Sequence, residues 1–168
     1  MLFVSLAVAI TFVQEQLLVF LPNVQFTILL IFVFSSVFSL KESVVYVITY
    51  VILDNLYMGG FQVINVVPML FAWNLIPLSL HTWLKTRNEL KLAFAAFGFA
   101  FIYSWSFLPG VVLLYGLKHM WSVYLLADLP FEAILAGTGF LSVLWLYQPL
   151  RMVLVSLLGS DMQTNRFL

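Results

Sequence analysis

The stretch Trp121-Ser-Val-Tyr124-Leu-Leu-Ala-Asp128-Leu-Pro130-Phe-Glu132-Ala-Ile-Leu-Ala-Gly-Thr-Gly139-Phe-Leu-Ser-Val-Leu-Trp145-Leu-Tyr147-Gln-Pro149-Leu-Arg151-Met-Val-Leu-Val-Ser-Leu-Leu158 decides how often this chain crosses a bilayer. It is almost wholly apolar, and one crossing takes only about 20 residues. Asp128 and Pro130 divide it. Proline is well placed in the first turn of a helix, so the last helix is predicted from near Pro130 to near Leu154. Residues 121–129 are then expected as a partly buried approach on the membrane surface.

Working outward, five further apolar segments precede it. They run over 2–21, stopped by Pro22-Asn23; 24–40, stopped by Lys41-Glu42; 43–56, closed by Gly59-Gly60; 63–84, ending at Lys85; and 91–115. The chain is 64% hydrophobic and 8% charged, against about 25% charged residues in soluble domains. The prediction is an all-α membrane protein: six transmembrane helices in one compact bundle, a single domain over 1–168. No signal peptide is expected, since no charged region leads the first apolar run. The second helix is expected to be short and is Ser-rich (Ser35, Ser36, Ser39), and these hydroxyls are expected to bond back to the helix. Pro68 and Pro77 in the fourth are read as packing features or kinks.

Of seven Lys and Arg residues, Lys41, Lys85, Arg87, Lys91, Arg151 and Arg166 fall on one side of such a threading. The exception is Lys118. The positive-inside rule makes the basic side cytoplasmic, and the even number of crossings puts both termini there. The outer side holds Pro22-Asn23, the 54–62 loop and residues 118–128. Net charge is zero and no basic block exists, so nucleic-acid binding has no electrostatic basis. Cysteine is absent and the two histidines, His81 and His119, are far apart. Neither a thiolate site nor a helical His pair can form, and no metal or cofactor is expected. The chain contains no GxSxG, HExxH or Walker sequence, so it is not expected to be an enzyme.

Polar groups at membrane depth are costly and mark sites. Glu15, between Gln14 and Gln16, lies in the outer half of the first helix and reads equally as a ligand contact or a structural hydrogen bond. Asp54, Asn55 and Tyr57 lie where the third helix emerges, and Gln62 and Asn65 lead into the fourth. Trp73 and Asn74 sit further along it. Asp128 and Glu132 flank the start of the last helix, where capping is an equal explanation for Asp128. Tyr103, Trp105, Trp121 and Tyr124 cluster toward the outer side, as a membrane belt or as the wall of a pocket for a flat organic ligand. Trp83, Trp145 and Tyr147 read as inner belt anchors. Small residues are spaced for close helix contact at Ser5 and Ala9, Ala7 and Thr11, Ala96, Gly98 and Ala100, and Ala136, Gly137 and Gly139.

The run from Tyr124 through Asp128-Leu-Pro-Phe-Glu132 to Phe140, followed by Gln148-Pro149-Leu150, resembles the last helix of energy-coupling factor (ECF) transporter S components. Phe38-Ser-Leu-Lys-Glu-Ser-Val44 is similar to that family's short cytoplasmic turn. Pro68-Met-Leu-Phe-Ala-Trp73 is similar to the fourth-helix pattern of some members. The chain departs where many members carry His and Asn in the last helix and it has Leu135 and Gly139. The family's A-x-x-x-A of helix one is matched only by Ser5 and Ala9.

The resemblance implies a multi-pass subunit of a bacterial or archaeal cell membrane that captures a vitamin in an outward-facing pocket. It would work with a transmembrane coupling subunit and two cytoplasmic ATPases that hydrolyse the ATP. Ser5 and Ala9 would form the docking surface. The substrate-binding residues expected are Glu15, Asn55, Tyr57, Gln62, Asn65, Trp73, Asn74, Tyr103, Trp105, Tyr124 and Asp128. With so little positive charge outside, folate and phosphorylated ligands are disfavoured. A corrinoid such as cobalamin is the expected substrate, with pyridoxine, riboflavin and pantothenate as alternatives. The rival reading is a structural scaffold like the rod-shape-determining MreD-type proteins.

Overall fold

The computed structural model describes residues 2–116 and 120–158. Its elements are α1 (Leu2–Leu17), α2 (Thr27–Ser35), α3 (Leu40–Tyr57), α4 (Val63–His81), α5 (Glu89–Ser106), α6 (Leu108–Tyr115) and α7 (Met120–Leu158). Among the described residues there is no strand. Three helical stretches are long and apolar enough to cross a membrane: Val63–His81, Glu89–Leu114 and Ser122–Leu158. They indicate a membrane-associated protein. Lys118, His119 and Arg166, which entered the charge argument, lie outside the described residues, as does the Trp121 side chain.

The boundaries follow local chemistry. Ser39 caps α3: its hydroxyl accepts from Glu42 N–H at 3.4 Å, while the Glu42 carboxylate accepts from Ser39 N–H at 2.8 Å. This reciprocal arrangement satisfies two donors that a helix start leaves open. The expected turn after α3 is present. Gly59 and Gly60 both have positive φ, 130° and 107°, a region that side chains disfavour. Asn23, at φ 58°, turns the chain between α1 and α2, as asparagine can. Of the three serines, Ser36 bonds back to Val33 O at 2.7 Å, Ser39 caps the next helix, and the buried Ser35 hydroxyl has no partner.

Two expectations are corrected. The second segment forms only nine helical residues, about 14 Å at 1.5 Å per residue. All but Leu30 are buried, because α2 is surrounded by α1, α3, α4, α5 and α7. The last segment is not divided at Pro130. Residues 121–129 are part of one helix of 39 residues with Pro130 and Pro149 inside it. In apolar surroundings, a helix broken at proline would expose more unsatisfied backbone than the single hydrogen bond that proline removes, so the helix continues. Pro68 and Pro77 likewise stay within α4.

The tightest packing joins α5, α7 and α2. Ala96, Ala100 and Ala136 are fully buried. A Cβ on Gly139 would lie 3.2 Å from Ile28 Cδ1 and 3.8 Å from the Ala96 carbonyl oxygen. Nothing lies within 4 Å of a Cβ on Gly137. Gly139→Val is therefore expected to lower stability by about 1–2 kcal/mol through overpacking. Gly137→Ala is expected to raise it by somewhat under ~1 kcal/mol through helix propensity. Unfolding of the two variants in detergent, followed by circular dichroism, checks both.

Candidate functional site

Two polar ladders run along helix faces. On α3, Tyr46, Tyr50 and Asp54 are spaced four apart, which stacks them on one side of the helix. Their partners come from α1: Thr11 Oγ1 and Tyr46 Oη are 2.6 Å apart, and one turn further on the Tyr50 hydroxyl donates to the Glu15 carboxylate. Asp54 stands at the top of the ladder. It is buried, and its Oδ1 has no hydrogen-bond partner. On α7 the same spacing of four brings Tyr124, Asp128 and Glu132 onto one face. Glu132 is 1% exposed, and neither carboxylate oxygen has a hydrogen-bond partner. The Trp105 side chain comes close enough to Glu132 for a weak polar interaction.

An aromatic pair joins the ladders. Trp73 on α4 and Tyr103 on α5 are stacked, with ring centroids 4.2 Å apart and an interplanar angle of 16°. Phe107 meets the edge of Tyr103 at 5.2 Å. Tyr103 interacts electrostatically, without direct contact, with Glu15, Asp54, Tyr124 and Asp128. Trp73 is 1% exposed and its indole N–H has no partner. Donors and acceptors are thus buried together without satisfying one another, which costs free energy in the empty protein.

Of the expected site residues, Glu15, Trp73, Tyr103, Tyr124 and Asp128 belong to this cluster. Asn74 stands beside Trp73 in the chain. Its amide donates to Leu70 O at 2.8 Å, and its Oδ1 is buried without a partner. Asn55 is buried but turned toward α4, donating to Val51 O at 2.9 Å and to Met69 Sδ at 3.2 Å. The other expected residues lie on the surface. Tyr57 is exposed, with its ring against Phe12. Gln62 and Asn65 are exposed and bonded to each other at 3.4 Å. Trp105 is 53% exposed beside Phe101. Ser5 and Ala9 lie on the exposed face of α1, while Ala7 and Thr11 are buried.

No family model matches the chain, and neither a curated protein nor a solved structure does.

The cluster also includes Tyr50, Asp54 and Glu132, which were not among the expected binding residues. The available signal was the repeated spacing of four, Tyr50 to Asp54 and Asp128 to Glu132. Gln14 beside Glu15 is a strut. Its amide donates to Thr11 O and Thr27 Oγ1, both at 3.0 Å, and its oxygen accepts from Phe26 N–H at 3.0 Å. It ties the end of α1 to the start of α2 and so fixes the height of Glu15.

The described basic residues lie at the other end of the helices. Lys41 begins α3, Lys85 and Arg87 follow α4, Lys91 begins α5 and Arg151 lies near the end of α7. There Gln148 donates to Arg87 O at 2.7 Å. His81 bridges Pro77 O at 2.8 Å and Phe38 O at 3.2 Å. Among the described residues no group of three His, Cys, Asp or Glu could hold a metal ion.

Proposed function

We propose that the protein is the solute-capturing membrane subunit of an uptake system, an S component of the energy-coupling factor type in a bacterial or archaeal cell membrane. One observation carries this reading. Polar and aromatic side chains from α1, α3, α4, α5 and α7 meet at one end of an otherwise apolar bundle, opposite the described basic residues. Buried polar groups inside apolar helices are expensive unless function retains them. The motifs around Tyr124–Phe140 and Phe38–Val44 supply the family resemblance.

On this reading the chain passes the membrane six times with both termini cytoplasmic. The short α2 is a pass sheathed by its neighbours, the setting in which non-helical backbone at membrane depth is tolerated. ATP hydrolysis belongs to two partner ATPases, and Ser5 and Ala9 on the exposed side of α1 face the coupling subunit. The corrinoid expectation takes the outer aromatics and uncharged amides to suit a large, largely neutral ligand.

The test is thermal unfolding of the purified chain in detergent with cobalamin, pyridoxine, riboflavin and pantothenate, together with co-purification from the native membrane. A ligand at 100 times its Kd stabilises by about 2.7 kcal/mol. Stabilisation by one vitamin and recovery of a coupling subunit with two ATPases are expected. No shift with any of them, and no such partners, would sink the proposal.

A further inference from the structure

The connections at the two ends of the bundle differ in character. At one end the α2–α3 turn leads into Lys41 and Glu42, and the α4–α5 connection carries Lys85 and Arg87. At the other end, connections 18–26 (α1 to α2) and 58–62 (α3 to α4) hold no Asp, Glu, Lys, Arg or His. The helix ends that feed them are neighbours. The Phe12 ring of α1 meets the Tyr57 ring at the end of α3, with centroids 5.2 Å apart. Gln14 Oε1 accepts from Phe26 N–H at 3.0 Å and draws the 18–26 connection onto α1.

These connections present apolar side chains and keep much of their backbone to themselves. Val19, Phe20, Met58 and Phe61 are 62%, 72%, 59% and 55% exposed. The N–H groups of Leu18, Val19, Leu21 and Val24 bond to carbonyls between Gln14 and Leu21, and those of Met58 and Gly60 bond to Asp54 O and Asn55 O. Water would solvate a free backbone and favour polar side chains, whereas hydrocarbon demands internal hydrogen bonds and apolar surface.

Helix length gives the depth. α4 is one of the stretches long and apolar enough to cross a membrane. Its 19 residues span about 28 Å at 1.5 Å per residue, against a hydrocarbon core of about 30 Å. Lys85 follows the last residue of α4 by one turn and belongs among the headgroups. Measured from that end, Val63 stops at the opposite hydrocarbon boundary, and 58–62 is joined directly to it. Val63, Val67 and Phe71 are all exposed and, four apart, form one stripe along α4. The stripe joins the lipid-facing side of the helix to the apolar connection without a break.

We propose that connections 18–26 and 58–62 are seated in the lipid leaflet at the uncharged end of the bundle, with Phe20 and Phe61 among acyl chains. The proposal rests on α4 crossing the membrane and not on solute capture. A protein partner covering the same side chains is the competing occupant.

The chain has no cysteine, so Phe20→Cys, Met58→Cys and Lys85→Cys each supply a single thiol. The purified full chain is placed in phosphatidylcholine nanodiscs, where both faces meet solvent and no partner from the cell is present. A charged, membrane-impermeant maleimide is expected to label Phe20→Cys and Met58→Cys at least about tenfold more slowly than Lys85→Cys, because hydrocarbon excludes charge. Bimane attached at the two slow positions is expected to be quenched by spin-labelled lipid and not by iodide. All three positions are exposed, so the substitutions remove no core packing.

Labelling of both positions as fast as at Lys85→Cys overturns the proposal, since the side chains then stand in water and await a protein. Slow labelling without quenching by spin-labelled lipid also overturns it, by assigning the positions to the protein interior. Neither readout involves a vitamin or a coupling subunit, so this inference and solute capture fail separately.

Discussion

Trp73→Ala is expected to cost about 3–5 kcal/mol of stability, the usual loss for a large aromatic ring removed from a packed core. Trp73 is among the largest fully buried side chains, and it supports Tyr103 across a 4.2 Å stack. Removing the ring empties the space between α4 and α5 and leaves one face of Tyr103 bare. Trp73→Phe is expected to cost much less. It keeps an aromatic ring, and it deletes an indole N–H that has no partner and contributes only a desolvation penalty. Unfolding of both variants in detergent separates packing from hydrogen bonding. Equal losses would mean that the N–H has an acceptor after all.

Tyr50→Phe is expected to cost about 2–3 kcal/mol, because a hydrogen bond to a carboxylate is stronger than one between neutral groups. The Tyr50 hydroxyl is the donor that Glu15 receives from α3, and the Tyr50 ring is fully buried. Its loss leaves an acidic group at depth without that donor. Measured in a double-mutant cycle with Glu15→Gln, the pair should show a coupling energy of at least about 1 kcal/mol. Additive single effects would mean that the contact adds nothing to the fold. The result also bears on function, since Glu15 then serves mainly to join α1 to α3, and Asp54 above it is the acid left for a ligand.

Much of the helical layout could be read from the order of residues. Apolar runs ended at Lys41-Glu42, Gly59-Gly60 and Lys85, and helices begin or end close to each of these. The capping pair Ser39 and Glu42 was present in the quoted turn. The fate of Pro130 was not legible. In water proline ends helices, whereas within apolar surroundings the backbone has no better partner than itself. That the second segment is short was legible, but not that only nine of its residues are helical, because burial on all sides leaves no polar face to mark its ends.

The site was legible in depth but not in direction. Tyr57, Gln62, Asn65 and Trp105 lie at the expected level along their helices, yet their side chains are exposed. In a soluble helix the polar face reveals which side is out. Here the core-facing and outward sides are both apolar, since lipid asks for the same residues as the interior. Only repetition of polar residues every four positions, as in Tyr46-Tyr50-Asp54 and Tyr124-Asp128-Glu132, carries the missing direction.

The continuity of α7 has a mechanical consequence. Between Pro130 and Pro149 no proline interrupts it. It carries Glu132 near one end and, near the other, Gln148, which is fastened to the α4–α5 connection. The two residues are about 24 Å apart along the axis at 1.5 Å per residue. A tilt of about 10° around Gln148 would swing the Glu132 carboxyl sideways by about 4 Å over that length. The helix is therefore a lever with its fulcrum among the basic residues and its load among the acids, and a push at the basic end is felt where the buried carboxylates are held.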